Sequence, residues 1–389
     1  VEYPEFLNDI SDIDAVFLSH AHMDHSGALP FFEHNNLKCQ IYSTELTWQI
    51  TQRLLKDAYH IEKLRNTHPA YDGSDLGKVK QDLHLIEYNN FHTTKDGKVK
   101  FQFFNSGHIP GGASILLEIE GKKIFYTADI NTEKTNLMVP AEVGKLGEID
   151  VLIAEATYGD REHPNRKISE QGLLQSIHEA IQSGGSALVP VFGVGRSQEI
   201  LIVLASLPQN IKIYLDGMAR TITELLLSSS DLFIKNKSAL RQIFNRVHLV
   251  KFNEREKIAK EKGCVIVTTS GMIQGGPSVS YAGSYVKEKN NYIIFTGYQT
   301  KGTRGRSLFE DHLFYNKGKV TQAKCHIRKF DFSAHYGQSA IHNLIKNVSH
   351  KNLILQHGDI NSLESVYKYA RENTKSNVHV PQIGEVLEF

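Results

Sequence analysis

The stretch SHAHMDH at 19–25 constrains this chain more than any other. It follows Asp14, Ala15, Val16, Phe17 and Leu18, a short apolar and partly β-branched run that predicts a buried strand. The polar run therefore begins where a strand ends. It supplies three imidazoles and one carboxylate in close succession: His20, His22, Asp24 and His25. Zinc accepts that mixture of nitrogen and hard oxygen donors. One ion cannot easily use all four. Side chains two apart on an extended segment point the same way, so His20 and His22 can share one ion, while the turn that follows can aim Asp24 and His25 at a second. The spacing suggests a two-metal site whose remaining ligands come from later in the chain.

At 389 residues the chain is long enough for two domains or one large one. Its 44 Lys and Arg against 43 Asp and Glu give no global attraction to a polyanion, so any nucleic-acid surface must be local. Cys39, Cys264 and Cys325 lie far apart with no C-x-x-C pair, which argues against a disulfide framework and a cysteine zinc site and for a reducing cytoplasm. No apolar run approaches the roughly 20 residues of a membrane helix. No signal peptide or low-complexity tract is recognisable.

Beyond the first motif, residues 29–45 read as a helix or loop followed by a strand at 40–43. Leu46, Ile50, Leu54, Ala58 and Ile61 then recur at helical spacing and predict a packing helix over 46–64. His60 and His68, in or beside it, read as surface or supporting residues, and 69–77 as a loop. From 83 the pattern becomes β, with strands at 84–86, 99–104, 114–119 and 123–126, the last two joined by a tight turn at Glu120 and Gly121. Two candidate ligands sit at strand ends: His108 in NSGHIPGGA and Asp129 in YTADI. The strand 151–154 ends in EATYG, which places Glu155 at its tip.

After a charged boundary at 161–166 the texture changes to repeated α/β. Helices over 169–182 and 196–207 alternate with strands at 187–191 and 212–215, the pattern of an inserted parallel-sheet domain. His178, mid-helix, reads as inert. Strands at 265–268 and 292–295 feed two glycine-rich turns, SGMIQGGPS and TGYQTKGTRGRSL. Backbone N–H groups there, including those of Ser270 and Gly271, together with Lys301, Arg304 and Arg306, can hold phosphates. The final segment returns to the first texture: a strand at 330–335 leading to an exposed His335, a strand at 352–356 ending in His357, and a helix at 366–373. His357 can complete the second ion's ligands beside Asp24, His25 and Asp129, which leaves His335 as a non-ligand imidazole.

Taken in order, HAHMDH, GHIPGG, TADI, EATYG, FSAH and LQHGD, with an α/β insertion between the fourth and fifth, resemble the β-CASP branch of the metallo-β-lactamase superfamily. The resemblance spans the chain and rests on the agreement of six separated motifs. GHIPGGA with the FSAH form is similar to the nuclease subunit of the cleavage and polyadenylation machinery more than to RNase J. The fold it implies is α/β: a metallo-β-lactamase αββα sandwich formed by 1–163 and 326–389, with an inserted β-CASP domain of mostly parallel sheet at 164–325. It further implies His20, His22 and His108 on a first zinc, Asp129 bridging to a second, Glu155 as the acidic motif beyond the ligands, and His335 as the histidine motif. RNA-acting members of the family have a histidine at the position of His357 where DNA-acting relatives tend to be apolar, so RNA is expected. The family also places several strands and an Asp upstream of the first motif; because Val1 stands so close to that motif, an N-terminal segment is expected to be missing.

The expected reaction is hydrolysis of RNA phosphodiesters by a hydroxide bridging two ions, leaving a 5′-phosphate and a 3′-hydroxyl. His335, oriented by Glu155, is the expected general acid, and Asp24 belongs to both the ligand and the catalytic sets. Zinc is the expected metal, and manganese suits the same ligands. The expected partner is single-stranded RNA, held between the domains with Arg196, Lys301, Arg304, Arg306, Ser270 and Gly271 as contacts. A homodimer is left open, and no membrane is expected. The competing readings are a DNA nuclease of the same branch and a non-catalytic RNA-binding scaffold, and cutting inside the strand or from its 5′ end are both compatible with the motifs.

Overall fold

Alternation along single strands sorts this chain into layers. In Ala113–Ile119, Ala113 and Ile115 enter one hydrophobic cluster with Phe101, Phe103 and Tyr42, while Leu116 points the other way, into a cluster with Phe125, Leu152 and Leu353. A pleated strand presents successive side chains to opposite faces, so a strand that is apolar at both parities must be covered on both sides.

The computed structural model describes residues 13–35, 39–64, 69–80, 82–143 and 146–389, and His68 lies outside them. Two compact units result. One comprises the described residues of Val1–Lys134, Val139–Glu162 and His335–Phe389, the other Thr135–Met138 and His163–Ala334.

The first unit is a sandwich of two sheets. Strands Ala15–Phe17, Gln40–Ser43 and Leu83–Leu85 form a three-stranded parallel sheet. The larger sheet has seven strands in the order Asn377–His379, His350–Gln356, Ile149–Glu155, Lys122–Tyr126, Ala113–Ile119, Val99–Asn105 and Phe91–Thr93. The first four run parallel and the rest antiparallel. Helices Gln338–Asn347 and Ile360–Asn373 cover its outer face with Ile341, Leu344, Ile345, Val366 and Ala370. Each fully buried Leu or Ile of that set contributes about 1.5–3 kcal/mol. On the far side of the small sheet, Trp48 of helix Glu45–Leu64 packs with Leu18, Leu29, Ile41 and Val79. The layer order is therefore helix, sheet, sheet, helix. The turn at Glu120 and Gly121 has φ of 50° and 79°, the paired left-handed conformation of a two-residue hairpin turn.

The second unit is a six-stranded, wholly parallel sheet in the order His248–Leu249, Lys212–Asp216, Cys264–Thr268, Ala187–Pro190, Tyr292–Phe295 and His326–Lys329. Its central strands are buried along their whole length, which explains their continuous apolar sequence. An antiparallel hairpin, Leu313–Asn316 with Lys319–Gln322, stands beside it.

Three expectations need correction. No strand occupies 330–335: the strand is His326–Lys329, and the segment after it turns because Asp331 Oδ1 accepts the N–H of Ser333 at 2.7 Å. The helix expected over 196–207 ends at Leu204, with Leu207 in a turn before Pro208, and the helix expected from 366 begins at Ile360. Among the described residues no helix is long and apolar enough to cross a membrane.

Candidate metal centre

The strand Ala15–Phe17 delivers the first motif to the carboxyl end of its sheet, where His22 ends the extended run and the short helix Met23–Ser26 begins. His20 and His22 thus lie on extended backbone and Asp24 and His25 on a helical turn. His108 arrives on the connection between Val99–Asn105 and Ala113–Ile119. Gly107 (φ 67°) and Gly111 (φ 84°) hold that connection in place. A Cβ at Gly111 would lie 2.5 Å from the Thr47 backbone nitrogen, and the Gly111 carbonyl accepts the hydroxyls of Thr44 and Thr47 at 2.7 and 2.6 Å. Asp129, Glu155 and His357 come from the carboxyl ends of three adjacent parallel strands, at a place where such sheets present their ligands. Ala128 and His357 both have left-handed backbone, with φ of 51° and 52°, a cost at non-glycine residues that clusters at functional sites.

These side chains converge on Asp129, whose two oxygens face different groups. Oδ2 lies 3.4 Å from His20 Nε2 and 3.5 Å from His108 Nε2, and the latter is 3.1 Å from His22 Nδ1. Oδ1 lies 3.5 Å from His25 Nε2 and 3.6 Å from His357 Nδ1, while His357 Nε2 is 3.3 Å from Asp24 Oδ2. Two clusters of donor atoms result, His20 with His22, His108 and Asp129, and Asp24 with His25 and His357, each compact enough for its atoms to reach one ion, and a third grouping, Asp129 with His335 and His357, overlaps them.

Protons alone do not satisfy this arrangement. His20 Nε2, His25 Nε2 and Asp129 Oδ1 are buried without a hydrogen-bond partner, although such groups are normally paired. Burial first, and then neighbouring imidazoles, pushes His22 down to about 3 and His25 down to about 4. His108 is lowered strongly as well, by burial and by His335. Burial by itself would raise Asp129, but the imidazoles of His20, His335 and His108 hold its carboxyl far below the usual range. Neutral imidazoles around an ionised carboxylate are the protonation states a divalent cation requires. The donor set fits metal.

His335 is half-buried at the edge of this cluster, not exposed as expected, because Glu155 draws it inward: His335 Nδ1 donates to Glu155 Oε1 at 2.9 Å, and His335 Nε2 lies 4.0 Å from Asp129 Oδ2. Burial lowers the affinity of His335 for its proton, but the Glu155 carboxylate more than offsets this and raises it above the ordinary histidine value. Glu155 is itself buried and held by the N–H of Ile130 at 2.9 Å. Thr157, which the sequence reading left without a role, donates its hydroxyl to Glu155 Oε2 and lies 3.0 Å from His357 Nδ1. Its signal was its place in EATYG, two residues from Glu155 on the same strand end.

The expected RNA contacts all lie in the second unit, on connections leaving the carboxyl ends of Ala187–Pro190, Cys264–Thr268 and Tyr292–Phe295. Arg196 donates to the Thr296 carbonyl, Arg304 to the Tyr315 carbonyl at 2.7 Å, and Arg306 to Glu310 at 2.5 Å. Ser270 Oγ accepts the N–H of Gln274 at 3.1 Å, and the carbonyl of buried Gly271 accepts Gln299 Nε2 at 3.3 Å. Lys301 is exposed. Away from both units' sheet ends, His60 is exposed on its helix and His178 pairs with Gln182 at 2.8 Å. A further cluster, His34 with Asp72 and Asp75, is closed by Lys78, which donates to Asp75 at 2.9 Å.

Comparison with known proteins agrees with this architecture. Residues 2–154 match the metallo-beta-lactamase superfamily domain, 197–308 the Beta-Casp domain, and 322–381 the Zn-dependent metallo-hydrolase RNA specificity domain. The chain is 35% identical to "Probable RNase MJ4" of Methanocaldococcus jannaschii over 100% of its own length and 91% of that protein. It is 35% identical to "RNase aCSPSF2" of Saccharolobus solfataricus, over 96% of this chain and 74% of that one. An "RNase J-like protein" of Methanocaldococcus jannaschii is 34% identical, over 97% of this chain and 89% of that one. Whole-length similarity of this kind, on a chain whose motifs and layers carry the same signature, makes this protein a member of the β-CASP family of the metallo-β-lactamase superfamily.

Proposed function

We propose that this chain is a zinc-dependent ribonuclease that hydrolyses phosphodiester bonds of single-stranded RNA and leaves 5′-phosphate and 3′-hydroxyl ends. The observation that carries the reading is the position of Asp129 between two sets of imidazoles, with the His335–Glu155 pair alongside. His20, His22, His108 and Asp129 Oδ2 would hold one ion, and Asp24, His25, His357 and Asp129 Oδ1 a second. When bound, the ions supply Lewis acidity, acidifying water and neutralising charge at the phosphate.

Hydrolysis adds water across the P–O3′ bond, and the departing O3′ needs a proton. His335 would give it: its Nδ1–H is committed to Glu155, which leaves Nε2 to carry the proton that departs. Glu155 raises the proton affinity of that imidazole and fixes its orientation. The RNase names of the relatives and the RNA specificity domain at 322–381 support RNA as substrate, as does a histidine at position 357. Arg196, Lys301, Arg304 and Arg306 are the proposed contacts to flanking phosphates, with Gly271 beside them, whereas the Ser270 N–H is already donated to Ser278 Oγ at 2.9 Å.

The test is cleavage of one single-stranded RNA and its DNA counterpart, each labelled at either end. RNA-selective cutting with 5′-phosphate products supports the reading. Equal cutting of DNA, or products ending in a 3′-phosphate, contradicts it.

A further inference from the structure

The near-neutral balance of the whole chain hides one local excess. Between 312 and 330 the sequence has five Lys and Arg, namely Lys317, Lys319, Lys324, Arg328 and Lys329, and no Asp or Glu. This stretch forms the hairpin Leu313–Asn316 with Lys319–Gln322 and then the edge strand His326–Lys329 of the parallel sheet. Lys317 (φ 47°) and Gly318 (φ 74°) make the two-residue turn, so Lys317 and Lys319 stand at its tip.

The pleat sorts the remaining side chains. Phe314 is buried in the core of its unit, so Tyr315 and its cross-strand partner Val320 face outward, 44% and 56% exposed. Helix Arg304–Asp311 touches both the hairpin and the edge strand. From one side of it Arg304 donates to the Tyr315 carbonyl, and on another Lys329 Nζ sits 5.2 Å from the Phe309 ring centre. Lys317, Lys319, Lys324 and Arg328 are exposed, and none has an ion-pair partner among the described residues.

We propose that this basic ribbon is a second RNA contact, separate from the metal centre, in which Lys317, Lys319 and Lys324 bind backbone phosphates and Tyr315 stacks on a base. A strand edge guarded only against pairing needs a charge or two. Here uncompensated cations share one ribbon with an outward aromatic ring, the composition of a sequence-tolerant platform for single strands. The hairpin tip, with Tyr315, Lys317 and Lys319, falls outside the matched segments 197–308 and 322–381, while Lys324 lies at the start of the second. The inference rests on RNA being the substrate, and it makes long strands better ligands than short ones.

The experiment measures binding of a labelled 20-nucleotide, phosphorothioate-substituted RNA by anisotropy across salt concentrations, with cleavage of an unmodified four-nucleotide RNA as a parallel readout. Each lost phosphate contact lowers the slope of log K against log salt by about 0.7, so K317Q/K319Q/K324Q should lower it by about 2 and weaken binding at least tenfold at about 0.1 M salt. Tyr315→Ala should weaken binding about tenfold with the slope unchanged. Cleavage of the short RNA should stay at the native rate in both variants, which also reports that they fold. An unchanged slope and affinity in the triple variant would overturn the proposal. A native chain that binds the long RNA through the hairpin but cleaves no RNA would overturn the ribonuclease reading alone.

Discussion

One oxygen of Glu155, Oε1, accepts both the Nδ1–H of His335 and the backbone N–H of Ile130, each at 2.9 Å. A single buried carboxylate thus ties the proposed acid to the loop that carries Asp129. Glu155→Gln removes the charge that raises His335 while leaving the shape nearly intact. A general acid works while protonated, so activity falls as pH rises through its pKa, and lowering that pKa moves the fall to lower pH. The alkaline limb of the pH–rate profile should shift down by about 1–3 units, with bound metal unchanged by elemental analysis.

Thr157 connects the same carboxylate to the metal cluster. Its one hydroxyl proton goes to Glu155 Oε2, so toward His357 Nδ1 the oxygen can only accept, which places a proton on Nδ1 and leaves Nε2 as the nitrogen facing Asp24. Thr157→Val should weaken the second metal by about 10–100-fold. Thr157→Ser should retain near-native affinity, as read by competition with a chromogenic chelator.

Much of the candidate site was legible because its side chains are clustered in sequence or stand at strand ends. His20, His22, Asp24 and His25 are adjacent in sequence, and His108, Asp129 and His357 each follow an apolar run. The burial of His335 was not legible in the residues themselves: its pairing with Glu155 came only from the family resemblance, and the two, distant in sequence, become neighbours only when His350–Gln356 pairs with Ile149–Glu155 and Tyr336 donates to the Glu155 carbonyl at 2.9 Å. The segment before it read as a strand, but the Asp331 carboxylate, accepting the Ser333 N–H, made it a turn. Helix Lys237–Arg246 went unread despite a visible signal, Leu240 and Ile243 at helical spacing, both buried. The hairpin at Leu313–Gln322 was harder, because its turn is Lys-Gly, where the first left-handed residue has a side chain that gives no turn signal.

Chelation should cost stability, because it leaves His20 Nε2, His25 Nε2 and Asp129 Oδ1 buried with nothing to bind. At a metal concentration 100 times Kd the bound state gains about 2.7 kcal/mol per site. A chelator such as EDTA should lower the melting temperature of the native chain by several degrees, reversibly on adding zinc. Asp129→Asn, which removes the shared carboxylate charge, should make melting insensitive to chelator.

The most direct test compares His335→Ala with His22→Ala, measuring metal per chain and RNA cleavage on the same preparations. His335→Ala should keep two equivalents of zinc and lose about 100- to 10,000-fold in cleavage rate, the usual contribution of a positioned acid. His22→Ala should lose both metal and cleavage. Equal loss of metal in the two variants, or full activity in His335→Ala, would contradict the separation of metal binding from proton delivery on which the account depends.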